Sequence, residues 1–317
     1  MAIKILGTGS YVPENIVTND DLAKIVDTND EWITQRVGVK ERHISVDETA
    51  ADFAVKAALE AMKEANISAD EVDLIIAASI TGENICPTVA GTVQREIGAK
   101  CPAFDISSAC SGFLFALDTA VSYIMRGNVR NALVIGAERI SKIIDWTDRS
   151  TCVIFGDGAG AFVIAPGEGY LASKLYTSGG GEVIEIPSHI GTSPFYKGEQ
   201  KSPYIFMDGQ ETFKFAVNKI VGDIKEVVGN AGLSLEDVDY VVPHQANIRI
   251  IEFASKRLKI PMDKFVVNID RYGNTSAASV AIAFDELNKS GKLKRGDKIV
   301  MSAFGGGLSS AACLIEW

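Results

Sequence analysis

The sequence lacks the features that mark membrane, exported and metal-binding proteins. No apolar run approaches the roughly 20 residues of a membrane helix. The N-terminus enters a strand-like segment without the cleavage site of a signal peptide. The three histidines lie far apart, so no metal-ligand spacing is present. We therefore expect neither a membrane span nor a metal.

Positive charge and paired cysteines are also scarce. The net charge of −10 argues against nucleic acid as the main partner, because phosphate binding needs a basic surface. The five cysteines include no C-x-x-C pair, which is typical of reduced thiols in a cytoplasmic protein. The 317 residues, 47% of them hydrophobic, have the composition of a globular protein with room for two domain-sized units.

The sequence does contain an internal repeat. Residues 70–77 resemble residues 236–243, and residues 131–137 resemble residues 297–303, both at the offset of 166 that separates Val72 from Val238. Strands and helices alternate in each repeat, which predicts an α/β protein with mostly parallel sheets covered by helices. We therefore predict two similar halves, residues 1–168 and 169–317.

Several predicted elements bear on the site. The predicted strands include 103–106, 131–137, 152–164, 238–243 and 265–269, and the predicted helices include 111–126, 247–258 and 276–289. Residues 179–181 and 194–203 are predicted to be loops that join the halves.

Cys110 has the surroundings of a nucleophile. It lies between a predicted strand and a predicted helix, so unpaired N–H groups and the helix macrodipole favour an anion there. We expect a lowered thiol pKa and a reactive thiolate. The alternative is a buried structural cysteine, but the small residues at 107–112 leave space for a substrate and favour the nucleophile.

The repeat predicts two partners for Cys110 from the second half. The offset of 166 maps Cys110 to Ser276, with Asn274 just before it. His244 follows the apolar run 240–243, at the carboxyl end of a strand, where open α/β sheets bind ligands. Taken alone, His244 or Asn274 would more often have a structural role. Together with Cys110, they predict an active site. The glycines at 305–307 allow the close backbone approach of an oxyanion hole.

Four segments of the chain together resemble the β-ketoacyl-acyl-carrier-protein synthase III family of condensing enzymes. They are Asp105–Gly112, Pro243–Asn247, Gly273–Ser276 and Phe304–Gly307. The resemblance covers essentially the whole chain. It implies a thiolase-like α/β fold of duplicated βαβαβαββ halves in five αβαβα layers, usually as a homodimer. It also implies that Cys110 is the nucleophile, that His244 and Asn274 assist it, and that the N–H groups of Cys110 and Gly306 form the oxyanion hole.

The resemblance further implies an acyltransferase that starts bacterial fatty acid synthesis. Such an enzyme condenses a short acyl-CoA with malonyl-acyl carrier protein, releases CO2 and needs no cofactor beyond the CoA thioester. Acyl-CoA and acyl carrier protein are thus the expected partners. Alternatives are a thiolase-type enzyme, a Cys-His-Asn hydrolase of papain type and a non-catalytic acyl-binding protein. Residues 304–310 lack the cysteine that a thiolase needs as its base.

A second set of residues is expected to bind CoA. Residues 28–31 resemble a capping box, and Trp32 and Arg36 lie one helical turn apart, where they can flank a flat base. An ordinary surface tryptophan covered by an arginine is the alternative. By the resemblance, the CoA contacts are Thr28, Trp32, Arg36, Arg149 and Asn247.

The helix after His244 is basic, which predicts an acidic partner on a chain of net charge −10. By the resemblance that partner is acyl carrier protein, whereas a solvated helix face is the alternative reading. The predicted docking residues are Lys214, Gln245, Ala246, Asn247, Ile248, Arg249, Lys256 and Arg257.

Cys86 is the residue expected to influence primer length. By the resemblance, the residue before Pro87 can reach across a dimer and close the acyl pocket of the partner. Several relatives have a bulky aromatic there, whereas this chain has the smaller cysteine. We therefore expect acetyl-CoA to be used, and short branched or straight acyl-CoAs to be accepted as well.

Overall fold

The structure is a computed structural model, and it describes residues 2–187, 194–195, 197–198 and 201–317. Its strands in the first half are β1 (Ala2–Tyr11), β2 (Ile16–Thr18), β3 (Glu41–His43), β4 (Leu74–Ala78), β5 (Ala103–Ile106), β6 (Ala132–Arg139) and β7 (Asp157–Gly167). The strands that follow are β8 (Tyr170–Gly180), β9 (Ile184–Glu185), β10 (Phe206–Met207), β11 (Tyr240–Pro243), β12 (Lys298–Gly305) and β13 (Gly307–Glu316).

The helices connect these strands. They are α1 (Asn19–Leu22), α2 (Asp30–Arg36), α3 (Ala50–Ala65), α4 (Val89–Ile97), α5 (Gly112–Met125), α6 (Gly209–Asn230), α7 (Ile248–Leu258), α8 (Ile269–Tyr272) and α9 (Ser279–Lys289). Within the described residues, no helix combines the length and the apolar composition needed to cross a membrane.

Two central sheets each draw their strands from one half of the chain. The first sheet has the order β1–β7–β6–β4–β5, and the second has the order β11–β12–β13–β8. The inner strands run parallel where helices connect them, as in the pairs β4–β5, β4–β6 and β11–β12. The predicted boundary at residue 168 falls between β7 and β8.

Five layers form because alternate strand residues face opposite sides. Ile76 and Val242 point into the core that α5 and α9 fill between the two sheets. Ile75 faces the outer layer of α3 and α4, and Val241 faces the outer layer of α6 and α7. Strands buried on both faces explain the continuous apolar runs of the sequence. The predicted αβαβα sandwich is confirmed.

The second half differs from the predicted strand pattern at 265–269. Phe265 makes only a single bridge to Val241, and no regular strand follows. The cause is the Gln245 side chain, which donates to the Val266 carbonyl at 3.0 Å and accepts from the Asn268 N–H at 3.0 Å. The Gln245 side chain thus hydrogen bonds the backbone groups that would otherwise pair with a neighbouring strand, and the predicted strand is wrong.

Two other boundaries also differ from prediction. β7 begins at Asp157 rather than at residue 152, because residues 151–154 form turns. β8 was not predicted, and the predicted loop at 179–181 overlaps its end. Residues 176–179 of β8 are exposed, so the strand lacks the apolar alternation that identifies a half-buried strand. Within the predicted loop 194–203, residues 196, 199 and 200 lie outside the described residues.

The repeat shifts by one residue at the turns that precede α5 and α9. These two short 3₁₀ turns, Ala109–Ser111 and Ser276–Ala278, both begin with a positive φ, 45° and 50°. Their starting residues are 167 apart, whereas β6 and β12 start 166 apart. Cys110 therefore corresponds to Ala277, which corrects the predicted match with Ser276. The two turns pack against each other and bring the halves together.

Candidate active site

Cys110, His244 and Asn274 converge on one cavity of about 150 Å³. Cys110 lies in the turn after β5, His244 directly follows β11, and Asn274 precedes the turn that leads into α9. The carboxyl ends of the inner strands meet there, as expected for ligand sites in α/β sheets. The structure thus brings together the three side chains that the sequence predicted, one from the first half and two from the second.

The Cys110 side chain is a neutral thiol at rest. Cys110 is half-buried in the cavity wall, and burial raises the pKa of its thiol to about 11, although a hydrogen bond from Ser276 opposes the shift. The nearby Glu138 carboxylate raises the pKa further. The predicted lowering of the pKa is therefore wrong, because desolvation outweighs the dipole of α5, which begins only at Gly112. The thiol must lose its proton as it attacks.

His244 is buried as a neutral imidazole. Its side chain is enclosed, and burial lowers its pKa to about 3. Nδ1 lies 2.6 Å from the Ser279 Oγ, and the ring meets Phe304 edge-on at 5.3 Å. A Ser279 hydroxyl that donates to Nδ1 keeps the imidazole proton on Nε2. His244 can then donate a hydrogen bond to a ligand while remaining uncharged.

Asn274 is a second neutral donor with a fixed orientation. Its Oδ1 accepts the Ser276 N–H at 2.8 Å, so the amide NH₂ group remains for a ligand. Its backbone is also held, because its N–H donates to the Ile154 carbonyl at 2.9 Å and its carbonyl accepts from the Gly156 N–H at 3.1 Å. The side chain is 5% exposed, as befits a group that acts inside a cavity.

The glycine run beside Cys110 has one position at which a side chain would not fit. A Cβ at Gly305 would lie 2.8 Å from the Cys110 backbone nitrogen, so β12 can approach the nucleophile only without a side chain there. Gly306 follows at the tip of the β12–β13 hairpin and lines the cavity. A Cβ at Gly306 would meet Ile184 at 3.4 Å, an ordinary contact. The oxyanion role of Gly306 stays a prediction.

The remaining cavity wall is mostly apolar. The large apolar residues are Ile80, Ile140, Ile154, Phe155, Ile184, Ile186, Ile205, Met207, Phe213, Ile250 and Phe304. Such a lining suits an acyl chain or another narrow apolar group. Cys86 does not belong to this wall and is exposed on the surface, so its predicted effect concerns the pocket of a second copy and stays a prediction.

Three of the predicted CoA residues form one cluster. The Trp32 ring centroid lies 5.8 Å from the Arg36 guanidinium and 5.3 Å from the Arg149 guanidinium. Arg36 lies over the Trp32 ring itself, as in the alternative of a tryptophan covered by an arginine, and the predicted flanking of a flat base stays a prediction. The predicted capping box at Thr28 is wrong, because Asn29 caps α2 and accepts the Trp32 N–H at 2.8 Å.

The cluster adjoins the cavity through neighbouring residues. Asn247 lines the cavity and donates to the Arg36 carbonyl at 3.0 Å, while its Oδ1 caps α7 by accepting the Arg249 N–H at 2.9 Å. Ser150, next to Arg149, also lines the cavity. Thr28 completes the predicted set, and its hydroxyl is buried without a hydrogen-bond partner among the described residues.

The predicted docking residues divide into three groups. Arg249, Lys256 and Arg257 are exposed along α7, as expected for a docking surface. Lys214 is also exposed but forms a salt bridge with Glu211 at 2.6 Å.

Of the other predicted docking residues, Ala246, Asn247 and Ile248 are half-buried where α7 begins. Gln245 must be removed from the set, because its side chain is buried and its amide bonds the backbone near Val266.

The sequence analysis missed three residues near the nucleophile. Ser279 bonds His244, Ser276 lines the cavity and donates to the Glu138 carboxylate, and Glu138 is fully buried. Glu138 could have been suspected, because a charged residue follows the apolar run 131–137 at the carboxyl end of an inner strand. Ser279 lies among small residues at the start of a predicted helix. That pattern indicates only close packing, so the sequence does not single out Ser279.

Comparisons with known proteins place the chain in one family. Residues 104–179 match a family model described as 3-Oxoacyl-[acyl-carrier-protein (ACP)] synthase III, and residues 228–317 match the model of its C terminal part. The chain is 51% identical to the β-ketoacyl-[acyl-carrier-protein] synthase III of Clostridium acetobutylicum, over 100% of this chain and 99% of that protein.

Solved structures give the same result. The crystal structure of 3-oxoacyl-[acyl-carrier-protein] synthase III from Aquifex aeolicus is 49% identical, with a TM-score of 0.93 over 99% of this chain and 100% of that one. The enzyme from Thermus thermophilus is 39% identical, with a TM-score of 0.94 over 99% and 98%. The predicted thiolase-like fold is confirmed, and nothing supports the hydrolase alternative. The chain belongs to the β-ketoacyl-[acyl-carrier-protein] synthase III family.

Proposed function

We propose that this chain joins a short acyl group from acyl-CoA to malonyl-acyl carrier protein, with loss of CO2, and so starts fatty acid synthesis. The observation that carries the proposal is the cavity itself, in which a thiol faces two neutral hydrogen-bond donors, His244 and Asn274. A thiol can hold an acyl group between two half-reactions. Neutral donors suit a reaction that creates negative charge on a carbonyl oxygen.

In the first half-reaction, Cys110 attacks the thioester carbonyl of acyl-CoA. The tetrahedral oxygen is stabilised by the N–H groups of Cys110 and Gly306, and CoA leaves as the acyl-enzyme forms. The Trp32 cluster supports binding of CoA, because an aromatic ring with two guanidinium groups nearby can pair with a flat base and with phosphates. The apolar wall then holds the acyl chain.

In the second half-reaction, malonyl-acyl carrier protein enters the same cavity. Its thioester oxygen accepts hydrogen bonds from His244 and Asn274, which stabilise the enolate that forms as CO2 departs. The carbanion attacks the acyl group on Cys110. Because decarboxylation creates the carbanion directly, the reaction needs neither a base at carbon nor a cofactor.

This function is tested by the dependence of CO2 release on the primer. The protein is mixed with malonyl-acyl carrier protein labelled in its free carboxyl group, with and without acetyl-CoA. We expect labelled CO2 and 3-oxoacyl-acyl carrier protein in equal amounts only when acetyl-CoA is present. Release of free acetate without a condensed product would contradict the proposal and indicate a hydrolase.

The exposed cations of α7 are the proposed docking surface for acyl carrier protein. Arg249 and Lys256 lie about two turns apart on one face, and α7 begins at the cavity. Changing both to glutamate should raise the KM for malonyl-acyl carrier protein about tenfold at low salt and leave acylation by acyl-CoA nearly unchanged. Steady-state kinetics with each substrate varied measure both effects.

The matched control changes Lys292 and Lys294 to glutamate. These exposed residues precede β12, whereas the cavity lies at the far end of that strand, so the control has the same net charge with an intact α7 surface. We expect its KM to match the wild type. A KM that stays at the wild-type value in the Arg249/Lys256 variant at low salt would place the docking surface elsewhere.

We also propose that two copies associate through β5. This strand is the edge of the first sheet and pairs only with β4 among the described residues, and an open edge can accept another strand. Asp105 of β5 holds the start of α4 by accepting the N–H groups of Val89 and Ala90 at 2.9 and 2.8 Å. The loop that contains Cys86 therefore lies beside this edge, where a second copy would meet it.

The primer prediction follows from that arrangement. Cys86→Phe should shift the enzyme towards acetyl-CoA, because a larger ring would fill the pocket end in the second copy, and one methylene in an apolar pocket is worth roughly 1–3 kcal/mol. The kcat/KM values for acetyl-, butyryl- and isobutyryl-CoA measure the shift. Cys86→Ser, which stays small, should keep the wild-type preference. Rejection of the longer primers by the wild type would show that another residue limits the pocket.

The proposed compartment is the cytoplasm. All five cysteines are unpaired in the structure, which fits a reducing environment. A direct measurement is the recovery of enzyme activity and of free thiols in the cytoplasmic fraction of the native host.

A further inference from the structure

A buried carboxylic acid lies directly behind the nucleophile. Glu138, near the end of β6, is fully buried. Among the described residues, the hydrogen bonds to its carboxylate come from neutral groups, namely the Thr81 hydroxyl, the Ile80 N–H at 3.2 Å, and the hydroxyls of Ser276 and Ser79 at 3.3 and 3.5 Å. A buried acid stabilised in this way is costly to keep ionised, and the condensation described above does not use it.

Ser276 connects this acid to the thiol. Ser276 lines the cavity beside Cys110, in a turn that packs against the turn of Cys110, and its hydroxyl donates to the Glu138 Oε1 at 3.3 Å. Its backbone is fixed by Asn274, which accepts the Ser276 N–H, and its φ of 50° holds the residue in the left-handed region. Because the Ser276 hydrogen is directed at Glu138, the Ser276 oxygen can accept a hydrogen bond from the Cys110 thiol, and a proton can then pass from the sulfur through Ser276 to the carboxylate.

Other charged groups near Glu138 are committed elsewhere. Arg139, next on β6, directs its guanidinium to Glu83 at 3.4 Å. Asp157 on β7 accepts hydrogen bonds from the Ser45 and Ser141 N–H groups at 2.8 and 2.9 Å. On β7, the residue opposite Glu138 is Gly158, which carries no charge.

The elements on the remaining sides are the segment after β4, which contributes Ser79 to Thr81, and the turns that hold Ser276 and Cys110. Among the described residues on these elements, Cys110 is the titratable group that interacts with Glu138.

We propose that Glu138, acting through the Ser276 hydroxyl, takes the proton of Cys110 during acylation and returns it after condensation. The proposal deepens the proposed function and rests on it. Ser276 touches the reacting sulfur, whereas Glu138 acts through Ser276.

The proton and the electron pairs balance over the two half-reactions. During acylation the S–H bond of Cys110 breaks, its electron pair forms the bond to the acyl carbon, and its proton passes through Ser276 to Glu138. The C–S bond of acyl-CoA breaks, and CoA leaves as a thiolate that takes a proton from solvent. During condensation the acyl carbon leaves Cys110, the electron pair returns to sulfur, and Glu138 gives the proton back.

The acidities of the groups fit this exchange. Burial raises the pKa of Glu138 to about 7, so near neutral pH the carboxyl can both accept and release a proton. Burial lowers the pKa of His244 to about 3, so His244 is a poor proton acceptor at that pH. A base must be deprotonated to act, so acylation should speed up as pH rises through the pKa of Glu138.

The test is the pH dependence of the first half-reaction. Acylation of Cys110 by acetyl-CoA is followed as CoA release in a single turnover across about pH 5 to 10. In parallel, Cys110 is alkylated with iodoacetamide, which requires no acyl-CoA. We expect wild-type rates to rise with a midpoint near 7, the pKa of Glu138. Glu138→Gln should lose this rise and react about 10²-fold more slowly at neutral pH.

If Glu138 acted only through its charge, Glu138→Gln would have the opposite effect on the reaction rate. The Glu138 charge raises the pKa of the thiol, so its removal alone would make Cys110 more acidic and more reactive. Ser276→Ala removes the hydroxyl between the thiol and Glu138 but keeps the Glu138 charge. Its reaction rate should therefore also lose the increase with pH. This variant provides the test if Glu138→Gln does not fold. Ser79→Ala, which touches the same carboxyl but not the thiol, should keep the rise, with its midpoint displaced only towards higher pH.

The outcomes separate the two proposals. Loss of the rise in Glu138→Gln and Ser276→Ala, but not in Ser79→Ala, supports the proton path. An unchanged profile or a faster reaction in Glu138→Gln overturns it. If acetyl-CoA does not acylate the wild type, the proposed function fails, and the iodoacetamide profiles still decide whether the path exists.

Discussion

Replacing Cys110 with alanine should abolish acyl transfer from acyl-CoA. The substitution removes the atom that forms the thioester, and no other cysteine lines the described cavity, so we expect the rate to fall by at least about 10⁴-fold. Stability should change by no more than about 1 kcal/mol, because only one sulfur atom is lost from a half-buried turn. Intact-mass analysis after exposure to acetyl-CoA, together with thermal unfolding, measures both effects.

Cys101→Ala is the matched control. Cys101 is a half-buried cysteine outside the cavity wall, so its variant should gain one acetyl group as fast as the wild type. A Cys110→Ala protein that still acquires a covalent acyl group at the normal rate would show that the nucleophile is a different residue.

Loss of His244 or Asn274 should damage the second half-reaction more than the first. In the proposed mechanism each side chain donates to the oxygen that becomes negative as CO2 leaves, and one such donor is worth roughly 3–4 kcal/mol. We therefore expect His244→Ala and Asn274→Ala each to slow decarboxylation of malonyl-acyl carrier protein by about 10² to 10³-fold. Acylation of Cys110 should slow far less, because its oxyanion is assigned to backbone N–H groups.

The pH dependence provides a second check on His244. Its pKa of about 3 means that the imidazole stays neutral throughout the working range. The donor contribution of His244 should therefore not change between about pH 5 and pH 8. For His244→Ala or Asn274→Ala, equal losses of rate in acylation and in decarboxylation would contradict the assignment of these residues to the second half-reaction.

The positions of Cys110, His244 and Asn274 could be predicted because the repeat predicts a similar arrangement of strands and helices in both halves. Cys110 lies in the short turn before α5, Asn274 precedes the matching turn before α9, and His244 follows a strand that the repeat aligns with β4. These patterns depend on local sequence and on the parallel arrangement of strands, both of which are readable without coordinates. The one-residue shift at the turns does not alter the predicted site. The prediction required only that Cys110, His244 and Asn274 lie at the same end of the two sheets.

The failures have a common physical origin in contacts between distant residues. The pKa of Cys110 depends on how deeply the cavity wall desolvates the sulfur and on the buried Glu138, which is contributed by another strand. The missing strand after Phe265 depends on the side chain of Gln245, about twenty residues away in sequence. β8 follows from pairing with β13, although its own exposed residues show no strand pattern.

The most direct test of the central claim is to follow one acetyl group by mass. The protein is incubated with isotopically labelled acetyl-CoA, freed of excess reagent, digested to locate the label, and then mixed with malonyl-acyl carrier protein. We predict one labelled acetyl group on Cys110, which then disappears from the protein and appears in 3-oxobutanoyl-acyl carrier protein as CO2 is released. Labelled acetate in solution with an unchanged carrier protein, or a label on any residue other than Cys110, would contradict the account.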